Sequence, residues 1–67
     1  MKILVNDESR EMDEQATVSS LLEELEMSDL RGWAIAVNEN VIPTDDLSGQ
    51  KLFEGDRVIL VQATQGG

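Results

Sequence analysis

The residues whose types most clearly suggest a chemical role are the last two, Gly66 and Gly67, which follow the polar pair Thr64 and Gln65. Glycine has no Cβ atom, so its backbone can enter a channel too narrow for any side chain and can adopt dihedral angles closed to other residues. We therefore predict that residues 64–67 form a flexible tail that threads into a partner protein. The group that such a tail delivers is the α-carboxylate of Gly67.

That carboxylate needs activation before it can react. Its pKa is about 3.5, so it is ionised at neutral pH, and an ionised carboxylate resists nucleophiles. Conversion into a mixed anhydride with ATP would make it an acyl donor to sulfur or to an amine. In this hypothesis the chain contributes the acyl group and a partner enzyme contributes the catalysis.

Other residue types that carry chemistry are missing or lack a useful pattern. The chain has no cysteine and no histidine, so the usual nucleophile, general base and soft metal ligand are absent. The acids Asp45, Asp46, Glu23, Glu24 and Glu26 do not alternate around a glycine as a calcium loop requires, and we interpret them as solvated charge. The sequence predicts no catalytic residue, no metal site and no bound cofactor.

Size and charge narrow the class of protein. A chain of 67 residues is one small domain with little room for a deep cleft. Fourteen acidic residues against five basic ones give a net charge of −9, which repels nucleic acid and favours a basic protein partner. No segment is long and apolar enough to be a signal peptide or to cross a bilayer, so we expect a cytoplasmic protein that is monomeric alone.

Apolar patterning predicts the elements that support the tail. Alternation indicates five strands, at 2–6, 9–13, 33–38, 41–43 and 57–63. Asp7-Glu8-Ser9 is the predicted turn between the first two strands, and Pro43 ends the fourth. Thr17 is the predicted N-cap of a helix of about nine residues, because Val18, Leu21, Leu22 and Leu25 follow it at the spacing of one helical face. Gly32 permits a change of direction after this helix. One helical turn is expected after Pro43.

The order of these elements predicts an α+β fold. A hairpin, one helix across one sheet face and further strands give a mixed sheet of four to five strands, with the first and last strands as parallel neighbours. This is the β-grasp arrangement. It would form one domain over residues 1–63, followed by the tail at 64–67.

A single helix covers only one face of the sheet, so the other face stays open. Trp33 and a set of aliphatic residues are predicted to form the core beneath the helix: Ile3, Val5, Val18, Leu22, Leu25, Ile35, Val37, Val58 and Leu60. The remaining aliphatic strand residues are predicted to form a contiguous patch on the open face: Leu4, Ala34, Ala36, Ile59 and Val61. Such patches commonly bind partners, although single exposed aliphatic residues are also normal on a sheet.

Several stretches, taken together, resemble the ThiS family, the sulfur carriers of thiamine biosynthesis. They are "MKILVN", "TVSSLLEEL", "AIAVNENVIP", "EGDRVILVQA" and the terminal "QGG", and they cover nearly the whole chain in order. Most of the weight rests on the spacing of three of them: Ala36–Pro43, Gly55-Asp56 and Gly66-Gly67.

The resemblance implies a ubiquitin-like fold and a sulfur chemistry at the tail. A ThiF-type enzyme would adenylate the Gly67 carboxylate with ATP and magnesium. Sulfur, supplied from cysteine through a cysteine desulfurase, would convert the adenylate into a thiocarboxylate. The thiazole synthase, a ThiG-type enzyme, would then receive the sulfur. By the same resemblance, the open sheet face would dock both enzymes.

The sequence also departs from the family pattern. The family often has an Arg-Glu-x-x-Trp-like stretch after the proline, whereas Thr44-Asp45-Asp46-Leu47 follows here and the tryptophan lies earlier, at Trp33. This departure puts the details of the partner surface in doubt. The small subunits of molybdopterin synthase share the fold and the Gly-Gly end but commonly carry prolines before the tail. Gln62-Ala63-Thr64 stands there in this chain, which favours the thiamine branch.

Three alternatives remain open on the sequence. The chain could carry sulfur for molybdopterin, for a sulfur-containing amino acid or for tRNA thiolation. It could be a ubiquitin-like modifier whose Gly67 forms isopeptide bonds with lysine. It could also be an interaction module with an inert tail.

Overall fold

A computed structural model describes residues 1–63 of the chain. It contains five strands, one α-helix and one 3₁₀ helix: β1 (Lys2–Val5), β2 (Glu8–Glu11), α1 (Val18–Glu24), β3 (Trp33–Val37), β4 (Asn40–Val41), the 3₁₀ helix (Thr44–Gly49) and β5 (Arg57–Gln62). The strands form one sheet in the order β2-β1-β5-β3-β4. In the part of the chain that is described, neither helix has the length and apolarity needed to cross a bilayer.

The pairing of the strands confirms the predicted β-grasp topology. β1 and β5 are parallel neighbours at the centre of the sheet, with Leu4 opposite Arg57 and Val5 opposite Val58. The other pairs, β1 with β2, β3 with β5 and β3 with β4, are antiparallel. The crossover that joins the two hairpins carries α1, as the predicted order of elements requires.

The first hairpin turns earlier than predicted. Asn6 and Asp7 are the two turn residues, with φ angles of 50° and 69°, whereas the predicted turn residues Glu8 and Ser9 belong to β2. A two-residue turn with positive φ at both positions matches the twist of the strands, and Asn and Asp tolerate this conformation better than most residues. The early turn shifts β2 to Glu8–Glu11, instead of the predicted 9–13.

Helix α1 begins where predicted and ends sooner. The Ser20 amide donates to Thr17 Oγ1 at 3.2 Å and the Thr17 amide donates to Ser20 Oγ at 2.8 Å, so the N-terminus has a reciprocal cap. The helix covers seven residues instead of nine because the chain leaves it at Glu26, whose φ is 60°. Gly32, with φ of 82°, then redirects the chain into β3 as predicted.

The core lies between α1 and one face of the sheet. Seven of the predicted core residues are buried: Ile3, Val18, Leu22, Ile35, Val37, Val58 and Leu60. Val5 and Leu25 were also assigned to the core, but they are only partly buried and pack against it, as does Trp33.

Five buried residues were missed by the prediction: Met12, Ala16, Leu21, Leu47 and Leu52. Leu21 follows Val18 by three residues and lies on the predicted apolar face of α1, although the predicted core did not include it. The other four lie in the connections, where no period marks the inward positions. These connections close the core because the Leu52 amide donates to the Ala16 carbonyl at 2.9 Å and Thr17 pairs with Lys51.

Candidate functional site

The strand register places the predicted patch residues on one face of the sheet. Ala34 lies opposite Val61 and Ala36 opposite Ile59 in the β3–β5 pair, and Leu4 lies one step away, opposite Arg57. Directly paired residues point to the same side of a sheet, and successive residues point to opposite sides. The neighbours in sequence of these residues include buried core residues, so the patch faces away from α1.

Exposure differs among the five patch residues. Val61 is 52% exposed and Leu4 is 37% exposed. Ala34 is exposed as well, whereas Ala36 and Ile59 are half-buried. The predicted patch is therefore a real apolar surface, with accessible residues at its ends and partly covered ones at its centre.

Val41 extends this surface, although the strand pattern of the sequence did not predict it as part of the patch. It pairs with Ala36 across β3 and β4, so it lies on the same face, and it is 70% exposed. The two-residue turn at Asn38 and Glu39, with φ angles of 51° and 73°, sets Asn40 opposite Val37 and Val41 opposite Ala36. The fourth strand therefore covers Asn40–Val41, instead of the predicted 41–43. We call the surface formed by Leu4, Ala34, Ala36, Val41, Ile59 and Val61 the open-face patch.

The open face is divided into a charged end and an apolar end. The charged end lies where β1 and β5 begin. Lys2 is opposite Glu11 in the β1–β2 register, and Arg57 forms an ion pair with Asp7, with 3.2 Å between Arg57 Nη2 and Asp7 Oδ1. The apolar end follows β5 toward its C-terminus, through Ile59 and Val61. The apolar surface therefore leads directly toward residues 64–67.

The end of β5 is held from both sides. On the β1 side, the Leu60 amide donates to Asn6 Oδ1 at 2.8 Å and Asn6 Nδ2 donates to the Leu60 carbonyl at 3.3 Å. The side chain of Asn6 thus continues the β1–β5 ladder after β1 has turned away. On the β3 side, the Ala63 amide donates to the Gly32 carbonyl at 2.6 Å. Sequence reasoning did not identify Asn6, because the pattern gives no sign of a side chain that replaces a strand residue.

The tail predictions lie outside the described residues. Thr64, Gln65, Gly66 and Gly67 follow Ala63 directly, and the proposed activation at Gly67 stays a prediction. The structure adds the position of Ala63, the last described residue, which lies beside β3 and the apolar end of the open face.

Charge on the described surface is mostly negative and weakly compensated. Three arginines form exposed or half-exposed ion pairs: Arg10 with Glu24 at 3.3 Å, Arg31 with Asp29 at 2.8 Å and Arg57 with Asp7 at 3.2 Å. The hydrogen bond from the Arg31 side chain, together with one from its amide, lowers the pKa of Asp29 below its ordinary value of 3.8. Over residues 1–63, no group of three or more acidic side chains is arranged to hold a metal ion.

The segment after Pro43, where the sequence departs from the family pattern, forms the 3₁₀ helix. Leu47 is buried in the core, whereas Thr44, Asp45 and Asp46 are exposed. The departure therefore falls on an exposed acidic segment, and none of its residues belongs to the open-face patch.

Comparison with known proteins agrees with this architecture. The sequence matches the profile of the ThiS family over residues 3–67. The sulfur carrier protein ThiS of Escherichia coli (strain K12) is 33% identical over 67 residues, which cover the full length of both chains.

Two solved structures share the fold. A crystal structure of the thiamine biosynthesis protein ThiS from Geobacter metallireducens matches with a TM-score of 0.85 at 23% identity, covering all of both chains. An NMR solution structure of a thiamine biosynthesis protein from the same organism matches with a TM-score of 0.77 at 23% identity. That match covers all of this chain and 88% of the other.

Proposed function

Because the chain belongs to the ThiS family, we propose that it is a sulfur carrier of thiamine biosynthesis. The observation that carries the proposal is the match over the full length to a sulfur carrier protein at 33% identity. The family profile extends through residue 67 and so includes the Gly66-Gly67 pair to which the chemistry is assigned. In this role the chain carries the sulfur on its C-terminus, and its partner enzymes supply the catalysis.

The proposed chemistry has two steps at the Gly67 carboxylate. A carboxylate oxygen first attacks the α-phosphorus of ATP, with magnesium bound to the phosphates, and pyrophosphate leaves. A persulfide on the sulfur donor then attacks the acyl carbon and AMP leaves, which forms an acyl disulfide. A thiol forms a disulfide with the donor's sulfur and so releases the thiocarboxylate, whereas free sulfide would give the thiocarboxylate directly. ATP and magnesium are substrates of a ThiF-type partner, and a cysteine desulfurase is the proposed source of the sulfur.

The domain contributes position to this chemistry. Asn6 and Gly32 hold the last residues of β5, so the point from which residues 64–67 start is set by hydrogen bonds on two sides. A partner that covers the open-face patch would then find the tail at the edge of its contact surface. Burial of exposed aliphatic residues such as Val41 and Val61 would supply the apolar part of the binding energy.

The same surface is proposed to serve both the ThiF-type enzyme and the thiazole synthase, of ThiG type. Two enzymes that need one patch and one tail cannot bind at the same time, so the carrier must leave the first before it reaches the second. The acidic surface suits such transient contacts, because a net charge of −9 speeds encounter with a basic partner.

The test is reconstitution of the carrier with the ThiF-type enzyme of its own organism, ATP, magnesium and a sulfide source. Intact mass spectrometry should show a gain equal to the replacement of one oxygen by sulfur, and fragmentation should place it on the C-terminal peptide. Gly67→Ala should fold as the parent does and show a greatly reduced gain. No gain in the parent with the active enzyme present would overturn the proposal, and conjugates to lysine would indicate the modifier alternative.

A further inference from the structure

Strand β5 changes from a central strand to an edge strand before the tail begins. β1 pairs with it only as far as Val58, and the Asn6 amide donates to the Val58 carbonyl at 2.9 Å where β1 turns away. β3 stays beside β5 as far as Gln62. Within residues 1–63, the part of β5 after Val58 therefore has a neighbouring strand on one side only.

The side chain of Asn6 lies on the side that β1 has left. A primary amide offers an acceptor and a donor, as a peptide group does, and Asn6 uses both on one residue. Its Oδ1 accepts from the Leu60 amide at 2.8 Å, and its Nδ2 donates to the Leu60 carbonyl at 3.3 Å. Leu60 is buried, so these two main-chain groups need partners within the protein. Asn6 therefore bonds to β5 as a strand residue would.

The Asn6 contact and a second one on the opposite edge hold the strand just before the tail. Three residues beyond Leu60, the Ala63 amide donates to the Gly32 carbonyl at 2.6 Å on the β3 side. A strand end that is held from one edge only can tilt and fray, whereas bonds on both edges set its direction. Gly67 is seven residues beyond Leu60, at most roughly 25 Å of chain, so a small tilt at Leu60 displaces the Gly67 carboxylate much further.

We propose that Asn6 is a positioning residue for the activation of Gly67, because its side chain sets the direction in which the tail leaves the domain. This inference rests on the proposed function. Adenylation needs a carboxylate oxygen in line with the leaving pyrophosphate, and a misplacement of about 1 Å can cost about 10²-fold in rate. Asn6 is outside the open-face patch, so its loss should lower kcat while the KM for the carrier stays nearly unchanged.

Asn38 provides a matched control at the other end of β5. It is the first residue of the second two-residue turn, with a φ of 51° against 50° for Asn6, and its Oδ1 also accepts from a β5 amide, that of Arg57 at 3.0 Å. Glycine adopts such φ angles without strain, so Asn6→Gly and Asn38→Gly each remove the side-chain bonds of one turn and keep its backbone. Both variants should lose stability in urea, but only Asn6→Gly should speed the hydrogen exchange of the Leu60 amide.

The test is ATP–pyrophosphate exchange by the ThiF-type enzyme of the same organism, with magnesium, labelled pyrophosphate and varied concentrations of the full chain. The temperature is one at which circular dichroism shows every variant to be folded. We expect Asn6→Gly to lower kcat at least about tenfold and to change the KM for the carrier less than about twofold. Asn38→Gly should match the parent in both constants.

A second variant, Asn6→Asp, separates the two bonds of the side chain. Aspartate tolerates the turn and can accept from the Leu60 amide, but it has no donor for the Leu60 carbonyl, so its kcat should lie between those of the parent and Asn6→Gly. No exchange with the parent would overturn the proposed function and this inference together. Exchange with the parent, combined with an unchanged kcat for Asn6→Gly, a rise in KM alone or an equal fall in kcat for Asn38→Gly, would overturn the inference and leave the proposed function standing.

Discussion

The side chains of Asn38 and Asp56 are hydrogen-bonded, with Asn38 Nδ2 donating to Asp56 Oδ1 at 3.0 Å. Each residue also accepts a second bond, because the Arg57 amide donates to Asn38 Oδ1 at 3.0 Å and the Phe53 amide donates to Asp56 Oδ2 at 2.8 Å. The pair joins the β3–β4 hairpin to the turn that precedes β5. Two of the stretches on which the family resemblance depends are therefore in direct contact.

This bond predicts that Asn38→Asp is destabilising. Aspartate tolerates the φ of 51° at this position and can still accept from the Arg57 amide, but it replaces the amide donor with a second carboxylate facing Asp56. We expect the free energy of unfolding at pH 7 to fall by about 1–3 kcal/mol, from the lost bond and the repulsion between like charges. Urea denaturation of the two proteins measures the difference.

The control is the exchange Asn38→Asp with Asp56→Asn. The exchanged pair restores one donor and one acceptor between the two side chains, and both backbone amides keep an oxygen to bond with. The double variant should recover most of the stability that the single variant loses. If it is no more stable than Asn38→Asp alone, the side-chain bond is not what links these turns.

Glu26 predicts a stabilising substitution. Its φ of 60° lies in the left-handed region, which is strained for a residue with a Cβ atom and easy for glycine just beyond a helix. Glu26→Gly should raise the free energy of unfolding by about 1 kcal/mol and the melting temperature by about 4–8 °C. Glu23→Gly, inside α1, should instead lower the free energy by about 1 kcal/mol, and differential scanning calorimetry of both variants tests this opposition in sign.

The open-face patch predicts that Val61→Glu impairs binding to the ThiF-type enzyme. The substitution places a charge at the apolar end of the patch, beside the tail, and we expect the dissociation constant to rise at least tenfold, or about 1.4 kcal/mol. Because Val61 is half-exposed, the melting temperature should change by only a few degrees. Ser48→Glu introduces the same charge on the 3₁₀ helix and should bind normally; unchanged binding by Val61→Glu would remove the patch from the interface.

The ion pair of Asp29 and Arg31 predicts a change in the pKa of Asp29 without a measurable change in the stability of the fold. Arg31 Nη2 donates to Asp29 Oδ2 at 2.8 Å, and this contact lowers the pKa of the carboxyl. A pKa that folding lowers stabilises the folded state above the unfolded pKa, and this contribution disappears as the pH falls through the folded pKa. Both side chains are well exposed, so solvent screening keeps the effect on unfolding small.

The corresponding substitution is Arg31→Gln. NMR titration of the carboxyl carbon should show the pKa of Asp29 moving up toward its ordinary value, with part of the lowering retained because the Arg31 amide still donates to Oδ1. The melting temperature at neutral pH should not change measurably. A large loss of stability would mean that the exposed pair anchors the connection between α1 and β3.

Short-range patterns in the sequence were enough to predict much of the fold. Alternation identified β1, β3 and β5, and the spacing from Val18 to Leu25 with a threonine before it identified α1, because strand and helix periods need only neighbouring residues. The surplus of aliphatic residues on the strands also predicted an open apolar face. The chemistry proposed for Gly67 rests on residue types and the family resemblance, and the described structure adds only the hydrogen bonds that fix the end of β5 before the tail.

Only the tertiary structure decided what depends on residues far apart in the chain. Leu47 and Leu52 are buried because the connection between β4 and β5 folds over the end of the core, and no periodic pattern in the sequence marks these two residues as inward-facing. Val41 joined the patch through its register with Ala36, and the side chain of Asn6 took the place of a strand residue beside Leu60. These features arise from contacts that form only once the sheet is assembled, so they cannot be predicted from local patterns in the sequence.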